Sequence, residues 1–375
     1  MKLSIFDRRV ADHFDWALIL MIIPPIAMSL FLIREINIDL AHKQIVYTAL
    51  AAALFIVVFL LPIRRFYWMI PFFYWFGIGL LALVDIAGVT RGGAQRWLEL
   101  PFIGLTVQPS EIFKPFFVLM LAYLTHETPP PKEGYGWRAF FKMIFFIVLP
   151  AALILKEPDL GTALLLLLVG GGVLIAIGLQ RKVWVTLALL GAIVGGFFYA
   201  AGYDMLHDYQ KKRIVDFLSE DNNYHVRQSL IAIGSGGLDG KKPEEATQTQ
   251  LKFLPIATTD FIFAYYAERF GFVGALVLIA LYMILVLHLF SLNHKVQGDY
   301  LATVTITGVA IMVFFYMAIN IAMTTGFAPV VGVPLPLFSH GGSSFVNFIV
   351  LFAIIENLLA FRFNFLYTSA PRSLE

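Results

Sequence analysis

Runs of apolar residues long enough to cross a bilayer recur along this 375-residue chain. A helix spans the hydrocarbon core with about 17–25 residues. Runs near that length fall at 16–33, 45–63, 67–86, 112–125, 139–155, 160–179, 183–203, 268–291, 301–322 and 345–361. Composition agrees, with 59% hydrophobic and only 14% charged residues, against roughly 25% charged in a soluble domain. Such a chain cannot cover itself with polar surface, so lipid is its solvent, and helices satisfy their own backbone polar groups there. The sequence therefore predicts an all-α, polytopic membrane bundle of about ten helices, forming one membrane domain over 1–375. The basic N-terminal segment before the first run shows no cleavage pattern, so that run reads as a retained span. Cysteine is absent, which removes disulfides, thiolate metal sites and cysteine nucleophiles. No basic stripe suggests nucleic-acid binding.

Lysine and arginine in short loops set orientation. With a cytoplasmic N-terminus, the inner set includes Lys2, Arg8, Arg9, Arg64, Arg65, Lys132, Arg138, Arg181, Lys182, Lys295, Arg362 and Arg372, while the outer loop 34–44 holds only Arg34 and Lys43. An even number of spans then places both termini in the cytoplasm. Two outer segments stand apart. Residues 204–260 form a long polar loop, and loops of that length tend to be functional. Residues 323–344 are rich in proline and glycine yet apolar. They read as irregular backbone buried in protein or lining a cavity.

Charges beside apolar spans are expensive and point to function. In QPSEIFK (108–114), Glu111 and Lys114 share a helix face if Pro109 opens the helix. They form either an internal ion pair or a substrate contact. In KEPDLGTA (156–163), Asp159 sits at a helix start, as a plain N-cap or as a functional carboxylate. In RGGAQRW (91–97), Arg91 and Arg96 lie near the membrane surface, where a guanidinium suits a lipid phosphate or diphosphate; a surface arginine beside the interface anchor Trp97 is the plainer reading. In TTDFIFAYYAERFGF (258–272), Asp260 precedes an apolar aromatic stretch. A lone carboxylate there has a raised pKa and suits a general base, unless it only caps the next helix. These residues leave two possibilities: a transporter with a polar pathway, or a membrane-embedded enzyme acting on a lipid-linked substrate at the outer face. The polar outer loop and the outer carboxylates and arginines favour the enzyme.

Five segments, in order, carry a closer resemblance: GGAQRWLELPFIGLTVQPSEIFK, KEPDLGTALLL, YHVRQSLIAIGSGGLDGK, TQLKFLPIATTDFIFAYYAERFGFVG and NIAMTTGFAPVVGVPLPLFSHGGSS. With them the chain resembles the SEDS family (shape, elongation, division and sporulation). The stretch VVGVPLP at 330–336 looks like the elongation branch rather than the division branch. The chain departs from the usual pattern at Ile256, where an acidic residue is common, and at Thr258, where a histidine is common. It departs again at His340, where tyrosine is usual, and at Ala246, where glycine is typical.

The resemblance implies a peptidoglycan glycosyltransferase that polymerises lipid II at the outer face of the bacterial cytoplasmic (inner) membrane. It also implies a class B penicillin-binding protein as partner. Under this reading Asp260 is the catalytic base. Arg96 is the first candidate to hold the leaving diphosphate, with Arg213 and Lys114 behind it, and Asp159 and Gln228 complete the substrate-binding set. A divalent cation (Mg2+ or Mn2+) fits the same task as the arginines, although no ligand spacing demands one and the change at Ile256 removes one candidate ligand. A lipid II flippase without catalysis is the alternative. A lipid-linked substrate also implies a groove between spans, open sideways to the bilayer, whose position the sequence does not give.

Overall fold

The computed structural model describes residues 8–91, 94–99, 106–197, 224–246, 248, 253–254 and 256–362. The architecture is the expected all-α membrane bundle. A short α1 (Arg8–His13) leads into α2 (Trp16–Ile36) and α3 (Ile38–Leu60), and a 3-10 turn at Tyr67–Met69 runs into α4 (Ile70–Ala87). Then come α5 (Pro109–Glu127), α6 (Trp137–Lys156), α7 (Leu160–Ile177) and α8 (Arg181–Phe197). They are followed by α9 (Tyr224–Ser235), α10 (Ile262–Leu292), α11 (Tyr300–Thr324) and α12 (Gly342–Ala360). Among the described residues, eight helices are long and apolar enough to cross a membrane. The expected fourth span, α5, falls outside that group because polar residues open it, and α8 has 17 described residues.

Local signals place the helix ends. Asn37 accepts from the N–H groups of Asp39 and Leu40 and so caps α3 directly after α2. Asp15, Asp159 and Asp299 cap α2, α7 and α11 in the same way. Pro109 opens α5 at a first-turn position, where its missing N–H costs nothing. Between α4 and α5 lies an element that the apolar pattern did not announce. Val89–Arg91, Ala94–Glu99 and Thr106–Val107 form a small antiparallel sheet, with Thr90 opposite Gln95 and Leu98 opposite Val107.

Lipid tails are as apolar as leucine, so helix packing rather than a hydrophobic drive orders the bundle. The two most buried spans, α11 and α12, form its centre. Helix α11 packs on α5, α7 and α10, while α3 packs on α2 and α12 and is mostly exposed to lipid. Helix α4 packs on α5 and α6. Helices α3 and α4 therefore diverge, and a cleft opens between them.

The end of the bundle opposite Asp260 carries the basic loops and is tied by ions. Asp15 accepts from Lys295 at 2.6 Å and faces His288 at 2.9 Å, and its own N–H donates to Glu356 at 3.0 Å. Burial pushes the Asp15 carboxyl up, but Lys295, the Leu18 N–H and His288 outweigh it and hold the pKa low.

At the Asp260 end, the described part of the 204–260 segment is not a free loop. Helix α9 packs on α10 and α11, and Ser229 donates to the Thr324 carbonyl at 2.7 Å. Helix α10 breaks at Gly271, where φ is +64°, a conformation that costs only glycine little. There the backbone of Leu238 comes so close that a Cβ would lie 2.3 Å from its carbonyl oxygen. Arg269, just before the break, grips Glu35 through Nε at 2.9 Å and one Nη at 3.0 Å, its other Nη donates to the Lys241 carbonyl, and Tyr265 adds a bond to Glu35 at 2.7 Å.

Candidate active site

Asp260 sits in a tight turn just before α10. Ile256 stands at φ +54°, an unfavourable region for a branched residue. Its carbonyl accepts from the Thr259 N–H at 3.1 Å and the Phe261 N–H at 3.4 Å. The N-cap of α10 is Phe261, without a side-chain bond, so Asp260 does not cap this helix. Its half-buried carboxylate accepts no hydrogen bond from the described residues. Burial raises its pKa, and the nearby His225, stacked on Phe261 with ring centroids 6.0 Å apart, offsets part of that rise.

The segment between α11 and α12 is irregular, as its prolines and glycines predict, and it is stitched to this turn. Asn320 donates to the Asp260 carbonyl at 2.9 Å and to the Val333 carbonyl at 2.7 Å. Ser339 donates to the Thr259 carbonyl at 2.6 Å, and the His340 N–H donates to the Thr258 carbonyl at 2.7 Å. Gly332 lies beside the carboxylate, where a Cβ would stand 3.7 Å from the Asp260 Oδ2. Two backbone segments far apart in sequence thus fix the aspartate.

Arg96, on the sheet, reaches the junction of α6 and α7. Its Nε donates to the Glu157 carbonyl at 3.2 Å, one Nη bonds the Pro158 carbonyl, and the other lies 3.9 Å from Asp159. Asp159 caps α7 through the Thr162 N–H and accepts from Gln108, each at 3.2 Å. Glu157 is 1% exposed, and neither carboxyl oxygen has a partner among the described residues. Burial, then Asp159 and Asp85, push its pKa up to about 8, against a smaller pull from Arg96.

Glu111 and Lys114 meet at 2.5 Å, and the fully buried ammonium lies 4.8 Å above the Tyr316 ring. The second Glu111 oxygen has no partner among the described residues.

These groups surround one cleft of about 1350 Å³. Its polar end is lined by Asp260, Arg96, Asp159, Gln108, Glu111 and His340. From there it runs between α3 and α4, over α5 and α12, as an apolar groove lined by Leu54, Val58, Phe73, Phe116, Val350 and Ile354. From Ser343 to Ile354 along α12 this is roughly 16 Å at the helical rise.

A family model for cell cycle proteins, FtsW/RodA/SpoVE, matches residues 8–363. The chain belongs to the FtsW/RodA/SpoVE family. Within it, the chain is 52% identical over 365 residues to the peptidoglycan glycosyltransferase MrdB of Helicobacter pylori, covering 97% of this chain and 95% of that protein. The fold is similar to that of a solved chain from a peptidoglycan synthase complex that coordinates polymerization and crosslinking. That match has a TM-score of 0.78 at 25% identity and covers 92% of this chain and 97% of the other. The rod shape determining protein RodA of Thermus thermophilus is similar with a TM-score of 0.67 at 26% identity, covering 92% of this chain and 96% of the other.

For this FtsW/RodA/SpoVE member, the cleft gathers Asp260, Arg96 and Asp159 from the expected site residues. Lys114 lies behind the wall, bound to Glu111, and Gln228 sits on α9 away from the lining. Arg213 lies outside the described residues. No group of three or more histidine or acidic residues among the described residues is placed to hold a metal ion.

Four further residues of the site carry little signal in the motifs. Glu157 stood inside a motif read for its neighbour Asp159. His340 was noted only as a departure from pattern. His225 was one of several polar residues in a long segment. Asn347, on the cleft wall, is a polar amide within an apolar span, which is a signal in itself.

Proposed function

We propose that this chain polymerises lipid II into glycan strands during cell elongation, with Asp260 as the general base. Its relatives support the class of activity: it is a peptidoglycan glycosyltransferase. The observation that carries the mechanism is the single cleft, polar around Asp260 and apolar along the rest of its length. A lipid-linked saccharide has that same division, with a sugar and diphosphate head and a hydrocarbon tail. The α3–α4 opening admits the tail sideways from the bilayer, and the head then lies at Asp260.

The 4-hydroxyl of one disaccharide attacks the anomeric carbon of the other chain. The new C–O bond forms as the bond to the diphosphate breaks, with inversion. Asp260 takes the hydroxyl proton. Its partial burial and lack of bonds from the described residues favour a carboxylate that accepts this proton readily. Arg96, held by the Glu157 and Pro158 carbonyls, presents a fixed cation to the departing undecaprenyl diphosphate. The basic loops opposite Asp260 fit a cytoplasmic inner face, with both termini on that side and Asp260 outside. The fold shared with a synthase-complex chain supports a crosslinking partner, here a class B penicillin-binding protein.

A flippase would carry the diphosphate through the bilayer along a polar route. The groove beyond the polar end offers apolar side chains instead, and bare transfer of the head group past them is costly. The test is purified protein with lipid II in detergent, where no second side exists. Glycan product is expected. Substrate movement in vesicles with no product in detergent would refute the proposal.

A further inference from the structure

The reaction proposed above has two lipid-linked partners, and each carries its own diphosphate. Arg96 and its neighbours account for one. On the other wall of the cleft, formed by α3 and α12, helix α12 begins without a side-chain cap at Gly341. Gly341, Gly342, Ser343 and Ser344 all line the cleft. The first intrahelical bond is the Phe345 N–H to the Gly341 carbonyl, at 3.3 Å. The N–H groups of residues 342–344 therefore have no partner within the helix, and the helix dipole adds positive potential at that point.

Independent side chains point to a ligand in the same place. Asn347 is 5% exposed, lines the cleft and has no partner for either amide atom among the described residues. An unsatisfied amide in a membrane span is costly, and an entering polar group would relieve it. The His340 Nε2 also lacks a partner among the described residues. Lys43 on α3 acts electrostatically on His340 and, after burial, holds its pKa low. The Tyr47 ring packs against Gly342, where a Cβ would lie 2.9 Å from it. The nearby Glu111 is offset by Lys114.

We propose that the N-terminus of α12, Gly341–Ser344 with Asn347, is a second anion subsite that holds the diphosphate of the acceptor lipid, separate from the Arg96 subsite that holds the leaving diphosphate of the donor. The inference rests on the polymerase reading for the identity of its ligand. Each wall of the polar end then holds one head group, and Asp260, which lines the same end of the cleft, meets the hydroxyl between them.

The probe is farnesyl diphosphate, titrated by calorimetry into the full chain in detergent. Wild type is expected to bind about two equivalents, one lost in Arg96→Ala and the other in Ser343→Asp. A carboxylate in the first turn suits the helix itself but repels an anion, and weakening of about fivefold or more at that one site is expected. Wild-type stoichiometry and affinity in a folded Ser343→Asp protein overturn the proposal. Should that variant not fold, Asn347→Leu serves. It removes the unsatisfied amide, so it should raise the melting temperature while weakening one site, and unchanged binding overturns the proposal equally. Phosphatidylglycerol competing as well as farnesyl diphosphate overturns it in favour of a general lipid headgroup site. The polymerase reading fails separately: a protein that binds two diphosphates yet makes no glycan keeps the subsite and loses the reaction.

Discussion

Glu157→Gln removes a buried carboxyl whose ionisation is opposed by burial, Asp159 and Asp85 and only partly supported by Arg96. The folded protein holds the Glu157 proton up to about pH 8, whereas the ordinary value is 4.5. Below pH 4.5 both folded and unfolded states are protonated, and the group is neutral to stability. As pH rises from 4.5 toward 8 the unfolded chain releases the proton and the folded one does not, so stability falls through this window. Above about 8 the loss is complete. Holding the proton from 4.5 up to about 8 corresponds to a ceiling of about 5 kcal/mol. Local relaxation and water reaching the carboxyl reduce it to about 2 kcal/mol. Glutamine keeps the shape and never ionises. The assay is thermal unfolding in detergent between pH 5 and 8.5, and the variant should gain about 2–3 °C over wild type at the alkaline end and almost nothing at pH 5. Parallel curves for the two proteins would refute the reasoning and show that Glu157 is already satisfied.

Glu111→Ala leaves the Lys114 ammonium buried without its partner and should cost about 3–5 kcal/mol of stability, read as a large fall in melting temperature; unchanged stability with lost substrate binding would make Glu111 a substrate contact instead. Gly271→Ala meets both a positive φ and the Leu238 carbonyl, so it should destabilise the protein by more than about 1 kcal/mol, and limited proteolysis should then cut between α9 and α10 sooner than in wild type. Arg96→Lys keeps the charge but not the fork that binds two carbonyls, and it should lower the polymerisation rate while leaving the melting temperature within a few degrees.

Much of this was legible in the chain itself. Apolar runs reveal spans because the bilayer leaves a helix few alternatives, and the run from Thr305 to Ile321 is the clearest case. The pair Glu111 and Lys114 was one of two readings that the spacing allowed, as was the cap at Asp159, and the irregular path expected over 323–344 runs from 325 to 341. The sheet at 89–107 was hidden, because its strands are short and RGGAQRW reads equally well as an interface anchor. The position of the groove was hidden for a different reason. It arises from the divergence of α3 and α4, a property of packing that no single segment encodes. Asn347 and Glu356 are legible in principle, since each is a polar side chain inside an apolar span. The cap alternative for Asp260 needed coordinates to decide it, because only the backbone shows that α10 starts after Phe261 and without a side-chain bond.

The most direct test of the mechanism is glycan synthesis by purified Asp260→Asn protein supplied with lipid II in detergent. Asparagine preserves the shape and the backbone bond to Asn320 but cannot take a proton from the attacking hydroxyl. General-base catalysis contributes about 10²–10⁴-fold. The account therefore predicts a folded protein with wild-type melting temperature and polymerisation reduced by at least about a hundredfold. Glycan made at near wild-type rate by a folded Asp260→Asn protein would contradict it.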